Sequence, residues 1–264
     1  MNANRILVIA GTDSSGGAGL TRDTAVANEM GCDVLPVVTA VTAQTHSNMT
    51  GVRPMSASFV MQQLDAALAS GTFKAIKIGM LGTPDIAECV AEWLERRSMP
   101  TVIDPVLKTS SGWNLNSGIL PQRLLAQADL LTPNLPEAAA LTGRPVATTH
   151  AQVTDQASEI LSGGPDAVLI KGGHGNGANS LDHLFGRSGH QTFSAPRVIN
   201  GKRGTGCTLA TAIACQLALG CDLIQACQSA KEFVHTWLSA PSDASPSRRA
   251  QPLFAPQDHL SDHL

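Results

Sequence analysis

The chain has 264 residues, of which 43% are hydrophobic and 15% charged, and its formal net charge is −3. This length suits one large or two small domains with a buried core. The net charge gives no electrostatic footprint for nucleic acid, and no run of Lys and Arg indicates a membrane-binding surface. No apolar run is long enough for a membrane span, and the N-terminal run ends in a glycine turn rather than a signal-peptide cleavage site. The six cysteines show no zinc-ligand spacing, so we expect free thiols in a reducing, cytoplasmic compartment.

Apolar runs and helical patterns alternate along the first two thirds of the chain. Continuous apolar runs predict strands buried on both faces at residues 5–11, 35–44, 73–81, 101–106, 128–134 and 166–174. Helices are predicted between them at residues 20–30, 56–69, 84–97 and 152–161. This alternation predicts an α/β fold with a mostly parallel sheet that is covered by helices on both faces.

The last third of the chain follows a different pattern. Residues 181–186 and 190–198 predict a β-hairpin, and helices follow at residues 206–219 and 222–238. From residue 240 the chain is rich in Pro, Ser and Asp, so we expect one domain over residues 1–239 and a poorly ordered tail over residues 240–264. His259 and His263 lie four residues apart in this tail, where solvated side chains are a stronger interpretation than a pair of metal ligands.

The segment RGTGCTLATAIACQLALG, residues 203–220, predicts a glycine turn that leads directly into a helix. The first N–H groups of a helix lack internal partners and form an anion site together with the helix dipole. Gly204 and Gly206 would let the backbone approach a ligand, so the turn is a candidate phosphate cradle, although it is not a Walker A motif. Cys207 stands at the helix start, where a thiol has a depressed pKa. It is therefore either a reactive thiolate or a buried residue beneath the turn.

A second glycine-rich turn, GTDSSGGAGL at residues 11–20, connects the first strand to the first helix. Its glycines would allow a small ligand to approach the backbone, but they do not match the dinucleotide-binding fingerprint. Asp23 lies about one turn into the helix. It is either a solvated acid favoured by the helix dipole or a ligand contact.

Acidic and basic residues follow three other predicted strands. Asp104 and Glu137 could bind Mg²⁺ through water, as a phosphoryl-transfer site requires. Glu137 equally suits the first turn of a helix with Asn134 near its cap. Lys171 could reach phosphates, although an isolated lysine is more often solvated.

Taken together, these stretches resemble the hydroxymethylpyrimidine/phosphomethylpyrimidine kinases of thiamin biosynthesis, in the ribokinase superfamily. The resemblance runs in order from about residue 5 to 238, through ILVIAGTDSSGGAGL, VTAVTAQT, KIGMLG, IDPV, LLTPNLPEAAALTG, VLIKGGH, SAPRV, GTGCTLATAIA and AKEFV. It implies a three-layer α/β/α ribokinase-like fold and a homodimer. It also implies ATP- and Mg²⁺-dependent phosphorylation of 4-amino-5-hydroxymethyl-2-methylpyrimidine (HMP), often followed by phosphorylation of the monophosphate.

The resemblance also implies roles for residues of the pyrimidine site. Gln44 matches the glutamine that recognises the pyrimidine, and a side-chain amide can both donate to a ring nitrogen and accept from an amino group. Gly11, Asp23 and Met80 match other positions of the substrate pocket. Cys207 takes the place of the catalytic aspartate of related sugar kinases, beside the substrate hydroxymethyl group as a base or an orienting group.

The remaining implied roles concern the phosphates. Gly204, Thr205 and Gly206 would hold the transferring phosphoryl group at the helix N-terminus. Lys171 and Thr205 would face the nucleotide, with Asn134 beside them. Asp104 and Glu137 would hold Mg²⁺, through water.

The sequence departs from the family pattern at the pocket rim and at the anion site. It has DSSGGAG where many members have DPSGGAG, HSNMTGV after AQT, and GKRGTGCT where many have NTHGTGCT. Arg203 therefore replaces a histidine before the cradle, where it either strengthens the hold on phosphate or is solvated. These departures leave the second phosphorylation open.

Three rival functions differ from HMP phosphorylation. A pyridoxal or pyridoxine kinase shares the superfamily fold, and a substrate panel would separate it from an HMP kinase. A non-catalytic pyrimidine-binding sensor would show no ATP turnover. A thiol hydrolase would need a histidine to activate Cys207, for which only His46 and His174 are candidates.

Overall fold

The structure is a computed structural model that describes residues 4–107, 120–173, 177–187, 189–198 and 201–240. The strands within these ranges are β1 (Arg5–Ala10), β2 (Asp33–Val38), β3 (Ala40–Gln44), β4 (Met49–Pro54), β5 (Ala75–Ile78), β6 (Thr101–Ile103), β7 (Leu130–Leu131), β8 (Ala167–Lys171), β9 (Asn179–Gly186) and β10 (Gly189–Pro196). The helices are α1 (Gly19–Glu29), α2 (Ala57–Ala69), α3 (Pro84–Leu94), α4 (Gln122–Leu125), α5 (Leu135–Thr142), α6 (His150–Ser162), α7 (Thr205–Ala218) and α8 (Leu223–Ser239). Apart from Ala240, the predicted tail lies outside the described residues, as does His174.

The main sheet has eight strands in the order β10-β9-β8-β7-β6-β5-β1-β2. The six strands β8, β7, β6, β5, β1 and β2 run parallel to one another. The predicted hairpin β9–β10 adds an antiparallel edge. Strand β1 lies between β2 and β5, so the chain leaves β1 first towards one edge and later towards the other. Open α/β sheets bind ligands at the carboxyl ends of the strands beside such a change of direction.

Helices cover both faces of the main sheet, so the predicted three-layer α/β/α fold is confirmed. One core packs α2, α3 and α6 against the sheet and includes Val60, Val90 and Val153. The other packs α1, α7 and α8 against the opposite face and includes Val26 and Ile213. Cover on both sides is the reason that the central strands are continuous apolar runs rather than alternating patterns. Among the described residues, no helix combines the length and the apolar character that crossing a bilayer requires.

The prediction of one strand over residues 35–44 is wrong. The chain bends at Thr39, whose hydroxyl donates to the Met80 carbonyl, and only β2 belongs to the main sheet. Strand β3 instead pairs antiparallel with β4 in a separate two-stranded sheet. An apolar run does not show where a strand changes sheets, and sequence analysis missed both β4 and the short helix α4.

Candidate active site

A cavity of about 660 Å³ lies at the carboxyl edge of the parallel strands. Most of the site residues predicted from sequence line it, and they arrive on several different elements. They are Gly11, Gln44, Met80, Asp104, Asn134, Glu137, Lys171, Gly204, Thr205, Gly206 and Cys207. The fold therefore brings these separate motifs together at one place.

Asp23 is the exception among the predicted site residues. Its side chain has no exposed surface and does not line the cavity. One carboxylate oxygen accepts a hydrogen bond from Lys77 at 2.8 Å and the other accepts one from Thr211 at 2.8 Å. The interpretation of Asp23 as a solvated acid is therefore wrong, while its contact with the substrate stays a prediction.

Sequence analysis missed Lys77, which lines the cavity from β5 with no exposed side-chain surface. Burial disfavours the ammonium form, but the Asp23 carboxylate, together with Cys207 and Asp104, outweighs this penalty and raises the pKa of Lys77 above its ordinary value. The signal was present in the sequence, since a lysine within the apolar run FKAIKIGML needs a buried partner. Lys77 therefore brings a fixed positive charge to the cavity close to Cys207.

The predicted cradle is a left-handed turn at the start of α7. Gly204 is the N-cap residue with φ of 76°, a conformation that favours glycine. The first helical hydrogen bond runs from the Thr208 N–H to the Gly204 carbonyl at 2.8 Å, so the N–H groups of Thr205, Gly206 and Cys207 lie outside the helical ladder. Residues 204–206 line the cavity, which places this positive end of the helix dipole at its wall.

The two glycine-rich turns pack directly against each other. A Cβ atom on Gly204 would lie 2.2 Å from the Gly17 carbonyl oxygen, and one on Gly19 would lie 2.4 Å from the Gly11 carbonyl oxygen. Either contact would push the backbones apart. Gly204 therefore lets the cradle pack closely against the β1–α1 connection, and Gly19 lets that connection close on itself.

Cys207 is a neutral thiol in this structure, which favours the buried residue over the reactive thiolate of the two interpretations left open by the sequence. Burial raises the pKa of Cys207 to about 11, and the nearby carboxylates of Asp23 and Asp104 add to this, while Lys77 only partly offsets it. The helix N-terminus is thus outweighed by the loss of water around the sulfur.

Two carboxylates and one ammonium group form the acidic part of the cavity. The Lys171 Nζ donates to Asp104 Oδ1 at 2.8 Å, and only 13% of the Lys171 side chain is exposed. Burial raises the pKa of Glu137 to about 7, with a contribution from the negative charge of Asp104 that Lys171 more than offsets. Burial opposes the charge on Lys171, but the two carboxylates outweigh it and raise its pKa. Lys171 is therefore an ion-paired residue rather than a solvated one.

Glu137 and Asn134 also form the predicted helix cap. Asn134 Oδ1 accepts from the Glu137 N–H and Glu137 Oε2 accepts from the Asn134 N–H, both at 2.8 Å, in a capping box at the start of α5. This cap holds the Glu137 carboxylate beside the cavity. The structural and the functional interpretations of Glu137 are thus compatible.

Gln44 ends β3 with its side-chain amide held at both ends. Arg203 donates to Gln44 Oε1 at 2.9 Å, and Gln44 Nε2 donates to the Thr42 hydroxyl at 2.9 Å. Arg203 also donates to the Thr45 carbonyl and lies 3.5 Å from the buried Asp13 carboxylate. Arg203 is therefore anchored at the pocket rim and is not solvated.

Gly11 and Met80 form an apolar part of the cavity wall. A Cβ atom on Gly11 would lie 2.3 Å from the Met80 methyl carbon, so glycine at this position leaves room for the Met80 side chain. Met80 packs with Ala40 and Met49 in a small cluster of its own. This wall presents an apolar surface opposite the charged groups.

A second cavity of about 310 Å³ adjoins the first. Five residues line both cavities: Asn134, Lys171, Gly201, Thr205 and Gly206. Ala195 and Pro196 of β10 and Val234 and Leu238 of α8 line the far part of the second cavity. The residues predicted to face a nucleotide therefore lie between two spaces, one of which contains all the predicted pyrimidine contacts except Asp23.

An anion cradle between two adjoining cavities, with lysines and carboxylates beside it, defines a phosphotransferase of the ribokinase-like fold. Residues 13–252 match the model of the phosphomethylpyrimidine kinase family, and the chain belongs to this family. Membership of a kinase family implies that ATP is the phosphoryl donor.

Individual relatives agree with this assignment. The chain is 41% identical over 240 residues to the hydroxymethylpyrimidine/phosphomethylpyrimidine kinase of Escherichia coli K12, covering 89% of each chain. It is similar to the crystal structure of a phosphomethylpyrimidine kinase from Clostridium difficile 630, with 31% identity, a TM-score of 0.77 and coverage of 89% and 99%. It is also similar to a pyridoxal kinase from Staphylococcus aureus in complex with AMP-PCP, with 29% identity, a TM-score of 0.79 and coverage of 89% and 87%.

Proposed function

We propose that this protein transfers the γ-phosphoryl group of ATP to the hydroxymethyl oxygen of HMP and then phosphorylates the monophosphate to the pyrophosphate. The names of its relatives at 39% and 41% identity support both steps. Membership of a kinase family favours this function over a non-catalytic pyrimidine-binding protein.

The fixed amide of Gln44 is the observation that carries the choice of HMP. Its oxygen accepts one hydrogen bond from Arg203 and its nitrogen donates one to Thr42. One acceptor site on the amide oxygen and one hydrogen on the amide nitrogen remain free to bind a ligand. This pair complements a ring nitrogen next to an exocyclic amino group, the edge that an aminopyrimidine presents. Pyridoxal lacks such an edge and would not form the two matching hydrogen bonds with this half-buried amide, each of which has a net worth of about 0.5–1.5 kcal/mol.

The cradle at residues 204–206 supplies the stabilisation of the transferring phosphoryl group. Its N–H groups and the α7 dipole favour the negative charge of the phosphoryl oxygens. Lys171 at the cavity boundary and Lys77 below the cradle add positive charge. Most of the rate enhancement would come from this fixed electrostatic environment, because a loose phosphoryl-transfer transition state needs little covalent help.

Cys207 would orient the substrate hydroxymethyl group. As a neutral thiol it cannot remove the hydroxyl proton before the reaction, and a loose transition state does not require this. Because a neutral thiol is not a base, the hydroxyl proton would pass late to an oxygen of the transferring phosphoryl group, when the hydroxymethyl oxygen has begun to bond to phosphorus.

The acidic groups fit a Mg²⁺ ion. Asp104 and Glu137 offer carboxylate oxygens, the ligand type that this ion prefers, and Glu137 carries a raised pKa that a nearby cation would lower. Bound Mg²⁺ would neutralise charge on the ATP phosphates. Asp104 and Glu137 would hold it, directly or through water, while the second cavity would hold the nucleoside with Lys171, Thr205 and Asn134 facing the phosphates.

The proposal includes three further features, of which only the homodimer rests on the family resemblance. These are a single kinase domain up to about residue 239, a homodimer, and a cytoplasmic location, which the six free thiols support. Sedimentation of the purified chain would test the dimer.

Product analysis by mass over time, with HMP, ATP and Mg²⁺, tests the proposed reaction. Monophosphate followed by pyrophosphate is the expected result. Monophosphate alone would contradict the second step and point to the altered GKRGTGCT cradle. No HMP product, with pyridoxal phosphorylated in a parallel reaction, would contradict the substrate while keeping the phosphotransferase.

A further inference from the structure

Three histidines from three different elements meet on the opposite side of the sheet from α8. His150 is the first residue of α6, His183 lies in β9 and His190 lies in β10. One nitrogen from each ring can be chosen such that all three lie within 4.8 Å of one another. None of the three lines either cavity, so the cluster is separate from the kinase site.

The spacing of two of these rings already matches that of ligands on one metal ion. His183 Nδ1 lies 3.3 Å from His190 Nε2. Two nitrogens bound to a tetrahedral zinc ion, each at about 2.0–2.1 Å, are separated by about 3.3 Å. The His150 ring centroid lies 4.9 Å and 5.1 Å from the other two, and its side chain is exposed at a helix start. A change of its rotamer would bring its nitrogen into the same coordination sphere.

The two strand histidines are held by the sheet and by the core. Phe185 stacks on the His190 ring with centroids 4.4 Å apart and an interplanar angle of 15°. Phe185 itself is 8% exposed and belongs to the α6 side of the core. Strand β9 is paired on both sides, with β8 and with β10. A site built on such rigid elements loses little entropy when an ion binds.

The protonation of the cluster suits a cation ligand set. Burial lowers the pKa of His183 and of His190, and the neighbouring imidazoles lower them further. Neutral rings offer the lone pairs that a metal requires. The negative charge of Asp182 raises the pKa of His183 and so opposes these effects. The Asp182 side chain, however, points to the other face of β9 and pairs with Lys231 at 2.8 Å.

We propose that His150, His183 and His190 bind one divalent transition-metal ion, of which Zn²⁺ is the best fit, with water as the fourth ligand. Three imidazoles without a carboxylate favour zinc, nickel or copper over Mg²⁺, which prefers oxygen. The ion would join the start of α6 to the β9–β10 hairpin at the edge of the sheet. The site opens into neither of the two cavities, so the ion would take no part in the kinase reaction.

Titration of the metal-free full chain with Zn²⁺ in the presence of excess Mg²⁺ tests this site. We expect one Zn²⁺ per chain, and with Co²⁺ the intense visible absorption of a tetrahedral complex. His150→Gln, His183→Gln and His190→Gln should each weaken Zn²⁺ binding at least about tenfold, the loss typical of a damaged metal site. His150→Gln is exposed and should fold normally, so it keeps the test valid if a strand variant fails to fold.

The tail histidines provide the matched control. The double variant His259→Gln/His263→Gln should bind Zn²⁺ as the wild type does, and His150→Gln should phosphorylate HMP at the wild-type rate. The proposal is overturned if the wild type binds no Zn²⁺, if the three cluster variants keep full affinity, or if the tail variant removes the binding.

Discussion

Replacement of Lys77 tests the buried charge pair beneath the cradle. The Lys77 ammonium lies 2.8 Å from the Asp23 carboxylate, and neither side chain has exposed surface. In Lys77→Met the stem is largely preserved, but Asp23 keeps only the Thr211 hydroxyl as a side-chain partner. Removal of one partner from a buried ion pair costs about 3–5 kcal/mol, because an uncompensated charge stays in the core. We therefore expect the free energy of unfolding to fall by this amount.

Urea denaturation of the single variants and of a double variant would measure the effect. Asp23→Leu alone should be similarly destabilised, since it leaves Lys77 without its carboxylate. The double variant Asp23→Leu/Lys77→Met removes both charges and should recover most of the loss, so the mutant cycle should be strongly non-additive. We expect the double variant to lack kinase activity even though its stability recovers, because Lys77 lines the cavity. A cost below about 1 kcal/mol for Lys77→Met, or simple additivity, would refute the reasoning.

Three further variants test other parts of the site and the core. Cys207→Ala should lower kcat by about 10²-fold or more while calorimetric HMP binding is largely kept, and wild-type turnover would show that the thiol only fills space. Arg203→Leu should raise KM for HMP about tenfold through the loss of its charged hydrogen bond to Gln44, with KM for ATP unchanged; equal changes in both would contradict this role. Burial raises the pKa of Cys227 to about 12, so its contribution to stability is complete below pH 9 and is lost as the pH rises towards 12. The difference in unfolding free energy between wild type and Cys227→Ala should therefore shrink by about 1.4 kcal/mol per pH unit above pH 9, and a constant difference would contradict it.

The fold was largely predictable because local pattern and tertiary environment agree along most of the chain. The continuous apolar run at β1 and the helix start at Ser56 are examples, since the structure gives a strand buried on both faces and a serine N-cap. The run over residues 35–44 was misread because a strand that leaves the sheet at Thr39 keeps the same apolar composition. Which sheet a strand joins depends on distant partners, here β4, and not on its own residues.

The candidate site, like the fold, was predictable from the sequence only in part. Residues at strand ends and glycine turns were predictable, since the fold class itself brings carboxyl ends of strands together. The burial of Asp23 was not, because its position in α1, beyond the first turn, does not show by itself whether the side chain faces water or the core. The sequence left Cys207 open between a reactive thiolate and a buried residue, because the degree of burial that controls its pKa depends on how α7 packs on its neighbours.

Competition between HMP and pyridoxal in one reaction tests the central claim most directly. With equal concentrations of both, ATP and Mg²⁺, the ratio of the two phosphate esters by mass gives the ratio of their kcat/KM values. The fixed amide of Gln44 predicts that the HMP ester dominates. A dominant pyridoxal ester, or no ester of either alcohol, would contradict it.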